Sequence, residues 1–401
     1  MEILRNLAKE SASRIVLVVL DGVGGIGGAG KTELESARKP HMDQLAKEGV
    51  CGLWEPVAPG ITPGSVSGHL SLFGYDPSSF RIPRGPVEAL GLGYLPRKGD
   101  LYARGNFCSL DANGLVVDRR AGRISTELNR QLLAKISSAL PPMEDVKISL
   151  LPGYEHRFCA IFHGENLNGP LTDTDPYENG KPPLSAHPLT PQGEKSARIV
   201  NSFVASCKDI LKEEHPANFI LLRGIDNLPS IPTMKELFHL SPAAIAIYPA
   251  YKGIAQMVGM KCIPVEAETI EDEIRAFLSA WNSLSYDFFY LHFKKTDSYG
   301  EDGNFAGKVQ EIEKIDALLP AIIEKEPDVV VITGDHSTPA LLKSHSWHPV
   351  PVLLWAKNVR RDSATHFSES ACLGGGLGHL RGPELMAVLL AHAKKLHRFG
   401  A

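Results

Sequence analysis

Apolar runs long enough to be fully covered strands occur near both ends of this chain. Ile15–Leu20 and Val329–Thr333 are continuous rather than alternating, the pattern of strands buried on both faces. After the first run, residues 31–48 carry a helical stripe (Leu34, Ala37, Met42, Leu45, Ala46), interrupted at Pro40 and stopped by Gly49. Residues 50–64 are rich in proline and glycine and read as loop, and 65–73 read as helix. The middle of the chain changes character. Leu101–Leu110 and 115–118 alternate like a hairpin around Asn113-Gly114. Helix is expected over 124–140 and 193–211, strand over 158–162 and 219–222, and a proline-rich loop over 171–192. From residue 243 a strand–helix alternation resumes: 243–248, 252–259, Ile270–Asn282, 286–292, 308–325, Val329–Thr333 and 350–354. The pattern predicts an α/β protein, a mostly parallel sheet sandwiched by helices, built from residues 1–80 and 236–401. A smaller α+β domain is inserted over 81–235.

Composition changes this picture little. The chain has 401 residues, 43% hydrophobic and 22% charged, as expected of a globular protein. A net charge of −4 gives no case for nucleic acid or an anionic membrane as partner. Six cysteines without a C-x-x-C pair suit free thiols in a reducing cytoplasm. Ile15–Leu20 is too short for a secretion signal, and no stretch reaches the length of a membrane span.

The chemistry lies at the strand ends. Thr333-Gly334-Asp335-His336-Ser337-Thr338-Pro339 places a carboxylate and an imidazole where open α/β sheets bind ligands. Carboxylate plus imidazole suits Mn²⁺ or Zn²⁺; the plain alternative is Asp as a turn residue. Asp21 follows the first strand and opens a loop containing Gly22, Gly24, Gly25, Gly27, Gly28 and Gly30. A dinucleotide loop competes, but an acidic residue at its head would repel pyrophosphate, which favours metal. Asp297 and Glu301, four apart, share a helix face, and His345 follows Asp335-His336. Buried carboxylates must be protonated or neutralised by cations, and two divalent metals would neutralise them. Ser65 opens a helix. It is either an N-cap or a nucleophile activated by metal. No G-x-S-x-G elbow is present.

The ordered set Val19-Leu20-Asp21-Gly22, Ser65-Val66-Ser67-Gly68-His69-Leu70, Thr333 to Pro339 and His345-Ser346-Trp347-His348-Pro349 resembles the cofactor-independent phosphoglycerate mutases. The likeness is to their archaeal-type branch, within the alkaline phosphatase superfamily. Arg84-Gly85-Pro86-Val87-Glu88, Asp118-Arg119-Arg120-Ala121-Gly122-Arg123 and Thr172-Asp173-Thr174-Asp175-Pro176 extend it over nearly the whole chain. The resemblance implies an alkaline-phosphatase-like domain with two divalent ions. Mn²⁺ is expected first, with Mg²⁺, Zn²⁺ or Co²⁺ as alternatives. Asp21, Ser65, Asp335 and His336 would hold one ion; Asp297, Glu301 and His345 would hold the other. Ser65 would carry the phosphoryl group as phosphoserine between 3- and 2-phosphoglycerate, without soluble bisphosphoglycerate. Arg104, Arg119, Arg120, Arg123, Arg223 and Lys252 are the cations for a small phosphorylated substrate. Asp118 is either an acid/base between the substrate hydroxyls or a charge partner of the neighbouring arginines.

Three positions depart from the family pattern. Glu301 stands where the family has His, His163 where archaeal-type members have Arg, and His379 where Arg is expected. His348 has no assigned role, although it could replace the missing histidine ligand. Two other readings compete: a phosphatase, phosphonate hydrolase or phosphopentomutase-like relative, and a non-enzymatic paralogue with one metal site lost. The arginine-rich insert favours the mutase, because a plain phosphatase does not need it.

Overall fold

A computed structural model of the chain describes residues 2–27, 30–267 and 269–400; Gly28 of the glycine-rich loop lies outside them. The chain forms two compact units, Met1–Arg81 with Ile231–Ala401, and Ile82–Ser230.

The first unit is built on an eight-stranded sheet in the order Gly378–Arg381, Val50–Glu55, Val350–Ala356, Val329–Thr333, Ile15–Leu20, Phe288–Phe293, Pro242–Ile245, Lys261–Cys262. Only the pairings on either side of Val350–Ala356 are antiparallel. The central strands Val329–Thr333, Ile15–Leu20 and Phe288–Phe293 are buried along their whole length. Helices flank the sheet and cover these apolar runs. Pro40–Glu48 packs on Val350–Ala356, and Ile270–Asn282 packs on Phe288–Phe293 and Pro242–Ile245. Register sets the working edge: Leu20 lies opposite Phe293 and Val19 opposite Thr333, so all three strands end at one level.

Two expectations change. Residues 31–48 are two helices, Glu33–Ser36 capped reciprocally by Thr32 and Glu35, and Pro40–Glu48. Proline cannot continue a helix but suits the first position of a new one. Residues 50–55, read as loop, are a strand. Val50, Cys51, Leu53 and Trp54 are buried between Val350–Ala356 and Gly378–Arg381, so tertiary pairing overrides the break at Gly52.

The second unit is an inserted α+β domain. Its central strand Leu101–Leu110 pairs antiparallel with Val116–Asp118, Arg157–His163 and Phe219–Asn227, and Lys147–Pro152 edges the sheet on Arg157–His163. Thr126–Ala139, N-capped by Ser125, and Glu194–Leu211 bring Leu132, Leu133, Ile136, Val200 and Phe203 to one face, over Phe107, Phe158 and Leu221. Arg84–Gly91 lies on the other face, with Ala89 against Tyr102 and Ile161.

Candidate metal centre

The residues that follow the three aligned strand ends converge. Asp21 comes directly after Ile15–Leu20, and Asp335-His336 comes one residue beyond Val329–Thr333. All three side chains are completely buried. His336 Nε2 is 3.3 Å from Asp21 Oδ1 and 3.3 Å from Asp335 Oδ2. None of these three atoms has a hydrogen-bond partner. A buried polar atom left unpaired costs about 1–3 kcal/mol, and more when charged. Three acceptors converging on one another therefore describe the surroundings of a cation, and the oxygen–nitrogen donor set fits a divalent ion.

Each carboxylate is held by its remaining contacts. Asp335 Oδ1 accepts from the Gly22 backbone N–H at 3.2 Å; His69 Nδ1 stands 3.2 Å from Asp335 Oδ2 but directs its proton to the Ser65 carbonyl at 2.7 Å. Asp21 Oδ2 accepts from His292 Nε2 at 3.1 Å and lies 3.2 Å from Lys294 Nζ. Burial pushes the Asp21 carboxyl up, but Lys294, His292 and His336 outweigh it and leave it well below the usual carboxylate range. For His292 and His336, burial dominates and lowers the imidazole pKa despite the nearby carboxylates, which favours the neutral, metal-binding form. Gly22 is required where it stands. Its φ is +62°, and a Cβ there would strike the Thr338 hydroxyl and the Asp297 carboxylate. Below the centre, the fully buried Lys308 ammonium donates to the carbonyls of Gly22, Gly24 and Thr338 at 2.9, 3.3 and 2.8 Å, tying the two strand-end loops together.

A second group comprises Asp297, His336 and His345. Asp297 Oδ1 is 3.6 Å from His345 Nε2 and 3.9 Å from His336 Nδ1, and the two imidazoles stack at 3.6 Å. The Thr338 hydroxyl donates to Asp297 Oδ1 at 2.6 Å and therefore accepts from His336 Nδ1 at 2.9 Å. That places the proton on Nδ1 and leaves the Nε2 lone pair facing Asp21 and Asp335. His345 follows the same logic: Nδ1 donates to the Pro63 carbonyl at 3.0 Å, leaving Nε2 toward Asp297. Glu301 sits at the rim. Its side chain is 56% exposed, and Oε1 lies 3.9 Å from His345 Nε2, outside both clusters.

Ser65 is the first residue of the helix Ser65–Leu72 and is partly buried. Its segment is bonded to the centre through the Pro63 carbonyl, which accepts from His345 Nδ1. Within the helix the Ser65 carbonyl accepts at 2.7 Å from Nδ1 of His69, whose ring stands against Asp335. A Cβ at Gly68 would lie 2.1 Å from the Asp335 carbonyl, so this helix packs directly against the Asp335 backbone. Lys252, in the helix Pro249–Met257, is partly buried, and its charge works against the burial that pushes the Glu273 carboxyl up.

The five arginines and Asp118 belong to the second unit. Arg119 forks onto Asp175, with Nε at 2.9 Å and an Nη at 3.1 Å, and Arg223 reaches the same buried carboxylate. Both guanidiniums lie over the Tyr177 ring, at 5.3 and 4.8 Å. Arg104 stands 3.7 Å from Glu88, while Arg120 and Arg123 are exposed. Asp118 accepts from the Arg120 and Gly122 backbone N–H groups at 2.8 and 2.6 Å, which folds its own turn and leaves one lone pair on each oxygen.

A profile of the Metalloenzyme superfamily matches residues 13–392. A Thermus thermophilus protein described as a probable 2,3-bisphosphoglycerate-independent phosphoglycerate mutase is 52% identical, covering 100% of this chain and 99% of its own. An Aquifex aeolicus protein of the same description is 47% identical over the full length of both. The chain belongs to the 2,3-bisphosphoglycerate-independent phosphoglycerate mutases. These are isomerases, and the carboxylate–imidazole clusters place this member among the metal users. Its backbone is similar to that of a Pyrococcus horikoshii protein (TM-score 0.81, 30% identity, covering 98% of this chain and 100% of the other). It is also similar to the cofactor-independent phosphoglycerate mutase of Thermoplasma acidophilum (TM-score 0.70, 29% identity, covering 95% and 100%).

The departures from the family pattern find local partners. His163 is held on both nitrogens, by Asp100 at 2.8 Å and Ser149 at 2.9 Å, and so is part of a structural network. His348 bonds Ser346 at 3.1 Å and stacks on Trp347, outside both clusters. His379 is exposed on the strand Gly378–Arg381. Sequence reasoning missed Lys294, His292 and Thr338 as neighbours of the carboxylates, and in the second unit the cation Arg157 and the neighbours of its arginines, His156 and Tyr177. Lys294 had a usable signal: it directly follows the strand Phe288–Phe293, as Asp21 follows Ile15–Leu20.

Proposed function

We propose that this chain interconverts 3-phosphoglycerate and 2-phosphoglycerate through a phosphoserine at Ser65, with two divalent ions and without bisphosphoglycerate. The observation that carries the reading is the convergence of three unpaired buried acceptors, Asp21 Oδ1, Asp335 Oδ2 and His336 Nε2, beside the segment that bears Ser65. Asp21, Asp335 and His336, with Ser65, would hold one ion. Asp297 and His345 would hold the other, with Glu301 near enough to His345 to join them. Bound cations supply neutralising charge for the phosphoryl oxygens and a lowered pKa for the serine hydroxyl. Mn²⁺ suits this mixed donor set best; Mg²⁺, Zn²⁺ and Co²⁺ are the alternatives.

The side chains do the rest. Ser65 Oγ bonds to phosphorus as the phosphorus bond to the substrate oxygen breaks, and the reverse transfer delivers the phosphoryl group to the neighbouring hydroxyl. Asp118 moves the proton between these two hydroxyls. Arg104, Arg119, Arg120, Arg123, Arg223 and Lys252 hold the substrate's carboxylate and phosphate oxygens, a task suited to guanidinium forks. A plain phosphatase would have no use for that arginine-rich insert. The setting is cytoplasmic glycolysis and gluconeogenesis. No helix among the described residues is long and apolar enough to cross a membrane.

The test is a coupled assay with 3-phosphoglycerate, run with and without bisphosphoglycerate and across a series of divalent ions. Ser65→Ala is expected to reduce turnover by about 10³-fold or more while leaving the melting temperature unchanged. Near-normal turnover in that variant would exclude the phosphoserine route.

A further inference from the structure

Lys294 joins the two clusters, and the atoms it uses show how. Its ammonium lies 3.2 Å from Asp21 Oδ2 and bonds Asp297 Oδ2. The other oxygen of each carboxylate is turned the opposite way. Asp21 Oδ1 is unpaired and faces His336 Nε2, while Asp297 Oδ1 faces Thr338, His345 and His336. The lysine therefore occupies the outer oxygens and leaves one inner oxygen of each carboxylate for its cluster. The side chain is 18% exposed and follows a completely buried strand, so the ammonium has little freedom to leave. Tyr251 supports it from one side, its ring centroid 5.6 Å from Nζ.

We infer that Lys294 is a fixed third cation of the centre, whose charge is set to favour a phosphoryl dianion over metal affinity. The inference rests on the proposed two-ion phosphoryl-transfer reading. Asp21, Asp297 and Asp335 bring three negative charges, and the ammonium returns one. Counting these groups alone, with neutral imidazoles, the Ser65 hydroxyl protonated, Glu301 at the exposed rim and the Lys308 ammonium committed to backbone carbonyls, two divalent ions leave the centre with an excess of two positive charges, the magnitude carried by a fully ionised phosphate monoester. Without the lysine the excess falls to one. The ammonium also repels incoming divalent ions, so its removal should not weaken their binding.

The test uses metal-stripped full-length protein and two probes, Mn²⁺ and inorganic phosphate, each titrated calorimetrically. Lys294→Gln removes the charge but keeps a hydrogen-bond donor, and Lys294→Arg keeps the charge. Lys294→Gln is expected to bind Mn²⁺ at least as tightly as the parent and, once loaded with Mn²⁺, to bind phosphate about tenfold or more weakly. Lys294→Arg is expected to stay within about threefold of the parent for phosphate. The inference is overturned if Lys294→Gln binds phosphate as tightly as the parent, or if it loses Mn²⁺, since the ammonium would then serve to hold the ligands. Should Lys294→Gln not fold, Lys294→Arg decides: loss of phosphate binding there, with Mn²⁺ retained, overturns the inference, and retention upholds it. If the Mn²⁺-loaded parent itself binds no phosphate, the two-ion phosphoryl-transfer reading fails instead, and that result is distinct from the others.

Discussion

The two units each contain a buried charge cluster, and the clusters are opposites. In the first unit's metal cluster the unpaired atoms include the acceptors Asp21 Oδ1, Asp335 Oδ2 and His336 Nε2. In the second they include Nε of Arg104, Arg157 and Arg223, buried donors without an acceptor, and Nδ1 of His156. One site has more carboxylate charge than the Lys294 ammonium beside it balances. The other gathers arginines around two carboxylates, Asp175 and Glu88. Folding does not leave buried polar atoms unpaired without cost, so each cluster indicates the ligand it lacks: cations for the first and an anion for the second. The same rule, with the sign reversed, supports both the metal site and the substrate site proposed for this mutase.

The contrast can be broken most forcefully at Asp175, whose fully buried side chain accepts from both Arg119 and Arg223. Asp175→Asn leaves two guanidiniums without their counter-ion and is expected to destabilise the second unit by about 3–5 kcal/mol, measured by urea unfolding. A loss below about 1 kcal/mol would mean that the arginines are already well solvated and the cluster is not poised for an anion.

A pH series sharpens the same point. Burial, reinforced by Arg157, Arg120, Arg104 and Arg123, pushes the His156 imidazole down to about 4. The unfolded chain takes up that proton first, near pH 6.5, so the contribution to stability is complete above that value. It declines as pH falls toward 4 and amounts to roughly 3 kcal/mol at most. His156→Gln should flatten the stability profile over this window. An unchanged profile would show that other groups carry the acid sensitivity.

The smallest expected effect concerns the first cluster. Thr338→Val removes the hydroxyl that assigns the His336 proton to Nδ1. Mn²⁺ affinity is expected to fall by about tenfold, in line with the loss of partners behind metal ligands. Unaltered affinity would mean that the stacking of His336 on His345 suffices to orient the ring.

By itself the sequence determined the strand–helix alternation, the mostly parallel sheet and the insertion of an α+β domain. Period and turn chemistry act over a few residues and can be read locally. It also marked Asp21, Asp335 and His336, because they follow strongly apolar runs, and His345, through the motif His345-Ser346-Trp347-His348-Pro349. Tertiary structure alone decided the rest. The strand Val50–Glu55 depends on partners some 300 residues away, on Val350–Ala356 and Gly378–Arg381, and no local period announces it. The ammonium of Lys294 bridges Asp21 and Asp297, and Thr338 chooses the tautomer of His336, because the register of parallel strands brings their ends to one level. Glu301 shares a helix with Asp297, yet its position at the exposed rim is a property of how that helix packs. Residue types state which charges a chain carries, and only the fold states which of them are buried without a partner.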